Sequence, residues 1–216
     1  MTARVVVDDP AGRALAVDVL RGGGLVALPT DTVYGIGVAL DAPGGIERLF
    51  AAKRRPPEKG IVLLLADIGQ ASEVGRLTPA AAALGAACWP GGLTVIVPQR
   101  PDVTLPGALT GGAPTIGLRV PDHAAPRALA RELGPVPVTS ANLSGLPEAR
   151  DAAAILEQFG DAVELVLDGG PAGGGPPSTV VDCTGEVAAI LRTGAVARGR
   201  IADVLAAAGL EPVPGS

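Results

Sequence analysis

Lys53-Arg54-Arg55-Pro56-Pro57-Glu58-Lys59-Gly60-Ile61-Val62-Leu63-Leu64-Leu65-Ala66 divides into two halves of opposite character. The second half is an unbroken apolar run. Six residues are short for a helix, and a run without alternation reads as a strand buried on both faces. The first half is densely basic and holds both lysines of the chain, although 17 residues are Lys or Arg. The two cation types are not interchangeable, so this clustering carries information. Positive charge at the mouth of a buried strand suits an anionic ligand such as a nucleotide.

Outward from this strand, helical and extended patterns alternate. A helix is expected over Ala14–Arg21, closed by Gly22-Gly23-Gly24, then strands over Leu25–Leu28 and Val33–Leu40. Pro43–Arg54 has apolar residues at steps of three and four, the spacing of a helix face. Thr78-Pro79 opens an alanine-rich helix to Cys88, with threonine as cap and proline in the first turn. Strands follow at Thr94–Val97 and Thr115–Val120, then a helix over Ala124–Leu133 with Asp122 as N-cap, and a strand over Val136–Thr139. Asp151 opens a helix over Ala152–Phe159. Strands at Val163–Leu167, Thr179–Cys183 and Ala188–Arg192 precede a last helix, Ile201–Ala208. This interleaving indicates an α/β layer fold, and the consecutive strands near the end indicate a mixed sheet. Gly169–Pro177, reading GGPAGGGPP, is the one long flexible insert; its glycines suit either a surface loop or a flap that closes over a ligand.

The bulk composition narrows the classes. A chain of 216 residues with 48% hydrophobic residues buries a real core as one domain. A net charge of -5 opposes a generic nucleic-acid binder, and an aromatic content of 2% opposes base-stacking platforms. Cys88 and Cys183 match no metal spacing and read as reduced thiols. There is no charged-then-apolar leader and no apolar run near the roughly 18 residues that span a bilayer. A soluble, cytoplasmic protein is expected.

The chemistry-bearing candidates lie at strand ends. There is no GxxxxGK[ST] phosphate loop, and Gly35-Ile36-Gly37 lacks the third glycine of a dinucleotide fingerprint. The one histidine, His123, sits at a helix start, where a capping or surface role is expected. Pro29-Thr30-Asp31-Thr32-Val33-Tyr34-Gly35 reads as a polar turn with an Asx-type bond. Thr115, Gly117 and Arg119 share one strand face, where an arginine is costly unless paired or bound to an anion. Thr139–Gly145, Pro177–Asp182 and Ile190–Gly194 add hydroxyls, an amide and Arg192. Together they argue for one shared polar cavity.

Seven ordered strings carry a family resemblance: PTDTVYGIG (29–37), AKRRPPEKG (52–60), WPGGLT (89–94), TIGLRVPDH (115–123), TSANLSG (139–145), PSTVVD (177–182) and ILRTGAV (190–196). They closely resemble the YrdC-type threonylcarbamoyl-AMP synthases, in the short, single-domain form. The resemblance implies an α/β fold, a twisted mixed sheet with flanking helices around a deep basic cavity, as one domain over residues 1–216. It implies condensation of L-threonine, bicarbonate or CO2 and ATP into threonylcarbamoyl-adenylate with release of pyrophosphate. Mg2+ is the expected helper ion, and its ligands are left open. A separate transferase complex would take the product to threonylcarbamoyladenosine on tRNA; tRNA binding by this chain itself is not required. No catalytic nucleophile is expected. By the same resemblance Lys53, Arg55, Lys59, Thr115, Asn142 and Arg192 would hold ATP, and Thr32, Arg119, Ser140 and Ser178 would hold threonine. Arg54 is expected to be a solvated surface charge and Trp89 a packing residue. The sequence departs from the family pattern at Leu64, where many members carry a histidine, so the threonine pocket is expected to be completed differently. Two other classes fit the same segments less well: an RNA-binding module, opposed by the acidic composition, and a carbamoyl-phosphate-activating enzyme, opposed by the absence of cysteine clusters.

Overall fold

The computed structural model describes residues 3–54, 60–173 and 175–211. Arg55 and Lys59, both expected at the nucleotide, lie outside the described residues.

The apolar run forms β4, Val62–Leu64, in the middle of a ten-stranded sheet. In chain order the other strands are β1 (Arg4–Val7), β2 (Val26–Leu28), β3 (Gly35–Gly37), β5 (Leu93–Pro98), β6 (Thr115–Arg119), β7 (Val136–Ser140), β8 (Leu165–Asp168), β9 (Thr179–Asp182) and β10 (Ala189–Arg192). Their order across the sheet is β1-β8-β2-β3-β7-β4-β6-β5-β9-β10. β4 pairs parallel with β6 and antiparallel with β7, so the sheet is mixed as expected.

The helices are α1 (Pro10–Arg21), α2 (Gly45–Lys53), α3 (Ile68–Val74), α4 (Pro79–Cys88), α5 (Gly107–Thr110), α6 (Ala124–Leu133), α7 (Ala152–Phe159) and α8 (Arg198–Ala207). Strand alternation divides the core in two. Leu63 and Leu65 join a large cluster with Leu49 and Phe50 of α2, Leu84 of α4, Ile155 of α7 and Ile201 of α8. Val62 and Leu64 turn to the opposite face, where Ala16, Val17 and Leu20 of α1 pack with Ala125, Leu129 and Ala130 of α6. The spacing of these residues is the apolar stripe of an amphipathic helix. Among the described residues, α1 and α6 are the helices of this second cluster, and the sheet around β4, β5 and β6 keeps an accessible hollow.

Local chemistry explains where the elements end. Asp9 caps α1 by accepting from the Gly12 amide at 2.7 Å, and Asp151 caps α7 through Ala154 at 2.8 Å. The cap of α6 is His123 rather than Asp122: Nδ1 accepts from the Ala125 amide at 3.2 Å. The strand expected over Val33–Leu40 shortens to Gly35–Gly37. Its neighbour β7 carries Pro137, which has no amide proton to extend the ladder. β1, α3 and α5 were not expected. β1 is an exposed edge strand, and α3 begins Ile68-Gly69, whose glycine hides the helical pattern although Asp67 caps it at 2.9 Å from the Gly69 amide. Arg54 closes α2 at φ 51° and is exposed. Trp89 packs under β5 and donates its Nε1 proton to the Leu93 carbonyl at 2.8 Å.

Candidate functional site

The hollow on the second face collects side chains from seven separate segments. The turn after β2 brings Thr30 and Thr32, β4 brings Val62 and Leu64, and β5 brings Thr94. Arg119 ends β6, Ser140 ends β7, Ser178 precedes β9, and Arg192 ends β10. The ladder aligns them: Leu64 stands opposite Arg119, and Gly35 opposite Ser140. Gly35 is needed there, because a Cβ would lie 2.5 Å from Val138 Cγ1.

Arg119 is 6% exposed. Its Nε donates to the Gly91 carbonyl at 3.0 Å, Nη1 to Thr32 Oγ1 at 3.0 Å, and Nη2 to Asp31 Oδ1 at 2.7 Å. Burial lowers its pKa, and the charge and hydrogen bond of Asp31 oppose that shift. Proton bookkeeping orders the hydroxyls. Thr30 gives its one proton to the Val33 carbonyl at 2.7 Å, so the 3.1 Å contact between Thr30 and Thr32 is donated by Thr32. Thr32 Oγ1 is then left as an acceptor for Arg119. The turn itself is closed by Thr30 Oγ1, which accepts from the Thr32 amide at 3.1 Å. The expected Asx-type bond is therefore not made by Asp31, whose carboxylate goes to Arg119 instead.

A second cation lies across the hollow. Arg192 donates from Nε and Nη2 to the Ser178 carbonyl at 3.1 and 2.8 Å, and from Nη2 to Ser178 Oγ at 3.1 Å. Ser178 Oγ also meets Thr94 Oγ1 at 2.9 Å. Burial lowers the Arg192 pKa, with Glu148 acting against it. Gly194 permits this arrangement: a Cβ there would lie 2.1 Å from the Pro177 carbonyl oxygen and 2.6 Å from the Ser178 carbonyl carbon.

Lys53 forms a third group behind Ser140. It is 1% exposed, and its ammonium donates to the Ser140 carbonyl and to Asn142 Oδ1 at 3.4 Å. Ser140 Oγ donates to the same Asn142 oxygen at 2.6 Å, while Asn142 Nδ2 reaches the Leu146 carbonyl at 2.8 Å. Ser140 thus joins the Lys53–Asn142 group to the hollow, which neither Lys53 nor Asn142 lines. Thr115 sits at the start of β6 opposite Pro98, half-buried and outside the lining.

Of the ten residues expected at the site from the sequence, Thr32, Arg119, Ser140, Ser178 and Arg192 line the hollow, Lys53, Asn142 and Thr115 do not, and Arg55 and Lys59 lie outside the described residues, so the sequence located only part of the lining. It missed Thr30, Asp31 and Thr94 as partners in the network. It also missed the tie between Tyr34 and the glycine-rich segment: Tyr34 Oη donates to the Gly170 carbonyl at 2.7 Å and accepts from the Gly169 amide at 3.0 Å. Two guanidinium groups among neutral hydroxyls can hold a carboxylate or a phosphate and orient an amino acid. Among the described residues no cluster of three or more His, Cys, Asp or Glu side chains stands ready to ligate a metal.

A family model described as "Telomere recombination", for Sua5, YciO and YrdC proteins, matches residues 18–194, which include every side chain of the hollow. The chain belongs to the Sua5/YciO/YrdC family. Within this family it is 35% identical over 207 residues to the threonylcarbamoyl-AMP synthase of Bacillus subtilis, covering 95% of this chain and 59% of that protein. It is 38% identical over 195 residues to a putative threonylcarbamoyl-AMP synthase of Mycobacterium tuberculosis, covering 90% of this chain and 89% of that protein. The crystal structure of P. abyssi Sua5 complexed with L-threonine superposes with a TM-score of 0.88 at 30% identity, over 98% of this chain and 62% of that chain. The chain thus spans about three fifths of the Bacillus and Pyrococcus members and most of the mycobacterial one. The Sua5/YciO/YrdC assignment accounts for the twisted mixed sheet with flanking helices.

Proposed function

We propose that this protein makes L-threonylcarbamoyladenylate from L-threonine, bicarbonate or CO2 and ATP, releasing pyrophosphate. The observation that carries the proposal is the buried Arg119, held between Thr32 and Asp31 and facing Ser178, in a fold that superposes on a family member complexed with L-threonine. In this reading Arg119 binds the threonine carboxylate, and Thr32, Ser140 and Ser178 surround the amino acid. Lys53, Asn142 and Arg192, with Arg55, Lys59 and Thr115, hold the nucleotide. Leu64 supplies an apolar wall to the threonine site, being 3% exposed and opposite Arg119.

The chemistry suits such residues. The threonine nitrogen forms a bond to the carbon of CO2 and loses a proton, giving a carbamate. A carbamate oxygen then bonds to the α-phosphorus of ATP as the bond to the β-phosphate oxygen breaks, and pyrophosphate leaves. Neither step uses a protein nucleophile. The side chains orient two anions toward each other and offset the charge that builds on the phosphates. Mg2+ would arrive on the nucleotide's own phosphates. The product would pass to a transferase complex that modifies tRNA, with this chain working as a single domain in the cytoplasm. No described helix is long and apolar enough to cross a membrane.

The test is product identification. Purified protein with ATP, L-threonine and bicarbonate should yield threonylcarbamoyl-adenylate by mass spectrometry. Carbamoyl phosphate in place of threonine and bicarbonate should yield no adenylate; the reverse pattern would replace this reading with the carbamoyl-phosphate one.

A further inference from the structure

Arg119 is more constrained than an anion receptor needs to be. A guanidinium carries five N–H donors, and three are committed: one each to Gly91, Thr32 and Asp31. One N–H remains on each terminal nitrogen, the number a carboxylate takes in a two-point contact. Two of the three anchors are neutral oxygens. The third is the carboxylate of Asp31, whose side chain is 16% exposed and is brought from 88 residues away. Asp31 does not line the hollow, whereas Arg119 and Thr32 do. Its effect on a ligand therefore passes through Arg119.

We propose that Asp31 is the positioning residue for Arg119, fixing the guanidinium so that its two remaining N–H groups receive the carboxylate of the amino-acid substrate. The proposal rests on the threonine reading above. Asp31 holds Nη2 while Thr32, from the same turn, holds Nη1, so one turn sets both ends of the fork. The proton order reinforces this. Thr30 gives its proton to Val33, Thr32 gives its proton to Thr30, and the lone pair that Thr32 offers Arg119 is fixed in direction. Asp31 also offsets the buried positive charge in the absence of substrate, a charge that is costly to leave unpaired away from water. What the geometry requires at position 31 is an acceptor at one location, and a charge elsewhere does not replace it.

Calorimetric binding of L-threonine separates these demands in three variants of the whole chain. Asp31→Ala removes the acceptor, Asp31→Glu moves the carboxylate by one methylene, and Asp31→Asn keeps an acceptor oxygen in place without the charge. Threonine binding should weaken about tenfold or more in Asp31→Ala and Asp31→Glu, as expected for a lost charge-assisted hydrogen bond. It should stay within about threefold of native in Asp31→Asn, and the KM for ATP should stay within about twofold in all three. Native-like affinity in Asp31→Glu, an Asp31→Asn loss as deep as that of Asp31→Ala, or parallel weakening of threonine and ATP would overturn the proposal. If Asp31→Ala does not fold, the other two variants decide the question between them. Native protein that binds no L-threonine would sink the functional reading itself, a result distinct from any of these.

Discussion

At the scale of single residues, the site depends on the shape of its cations as much as on their charge. Arg119 uses a planar fork to meet three acceptors and keep two donors free, which an ammonium cannot do. Arg119→Lys should therefore raise the KM for L-threonine roughly tenfold to a hundredfold, about 1.5–3 kcal/mol, with the KM for ATP little changed; steady-state kinetics with each substrate varied in turn reads both. Much of this was legible in the sequence. An arginine alternating with Thr115 and Gly117 on one strand face needs an anion or a partner, and the hydroxyl-bearing segments stood at strand ends. Asp31 was not legible. Beside Thr30 and Thr32 it reads as a turn former, and nothing local announces an ion pair to a residue 88 positions away.

At the scale of elements, short segments hold the polar groups against the sheet. Gly194 follows β10 and lies against the Pro177–Ser178 backbone so closely that a methyl group does not fit. Gly194→Ala should displace Ser178 from Thr94 and Arg192, lower the melting temperature by an overpacking cost of about 1–3 kcal/mol and weaken threonine binding; thermal denaturation and calorimetry check the two effects. The glycine-rich segment after β8 is tethered at its start. Tyr34 is fully buried and grips both Gly169 and Gly170 through its hydroxyl. Tyr34→Phe removes that grip, so the Gly169 amide should exchange with solvent faster, by the equivalent of about 1–3 kcal/mol, in hydrogen-exchange mass spectrometry. Helices with a clear cap and apolar stripe, such as α7 behind Asp151, were legible. β1 and α3 were not: β1 is a short exposed edge, and α3 carries a glycine in its first turn, so tertiary packing rather than local pattern settles both.

At the scale of the whole molecule, two apolar clusters cover the sheet, and the candidate hollow occupies the part of the second face that α1 and α6 do not fill. The alternation of elements made the α/β layers legible, and the consecutive strands near the end made the mixed sheet legible. The order of ten strands was not, because that order is fixed by long-range pairing, as between β1 and β8. The core also sets a chemical property. Burial, aided by the charge of Asp182, pushes the Cys183 thiol from 9.0 up to about 12, while Cys88 is half-buried. A group with a raised folded-state pKa contributes stability that is full below its unfolded value and lost as pH rises through the folded one. Stability should therefore decline between about pH 9 and 12, and below that range Cys183 should resist alkylation while Cys88 reacts first. Timed alkylation with peptide mapping checks the order; Cys183 labelling ahead of Cys88 in folded protein would count against the packing described.

The central claim is that the Arg119–Thr32–Ser178 hollow takes L-threonine and that the enzyme joins its carbamate to the adenylyl group of ATP. The most direct measurement is pyrophosphate release from ATP, with L-threonine and bicarbonate each added and withheld. The account predicts release that requires both and that falls sharply in Arg119→Ala. Release that proceeds equally without threonine, or no release above background with both present, would contradict it.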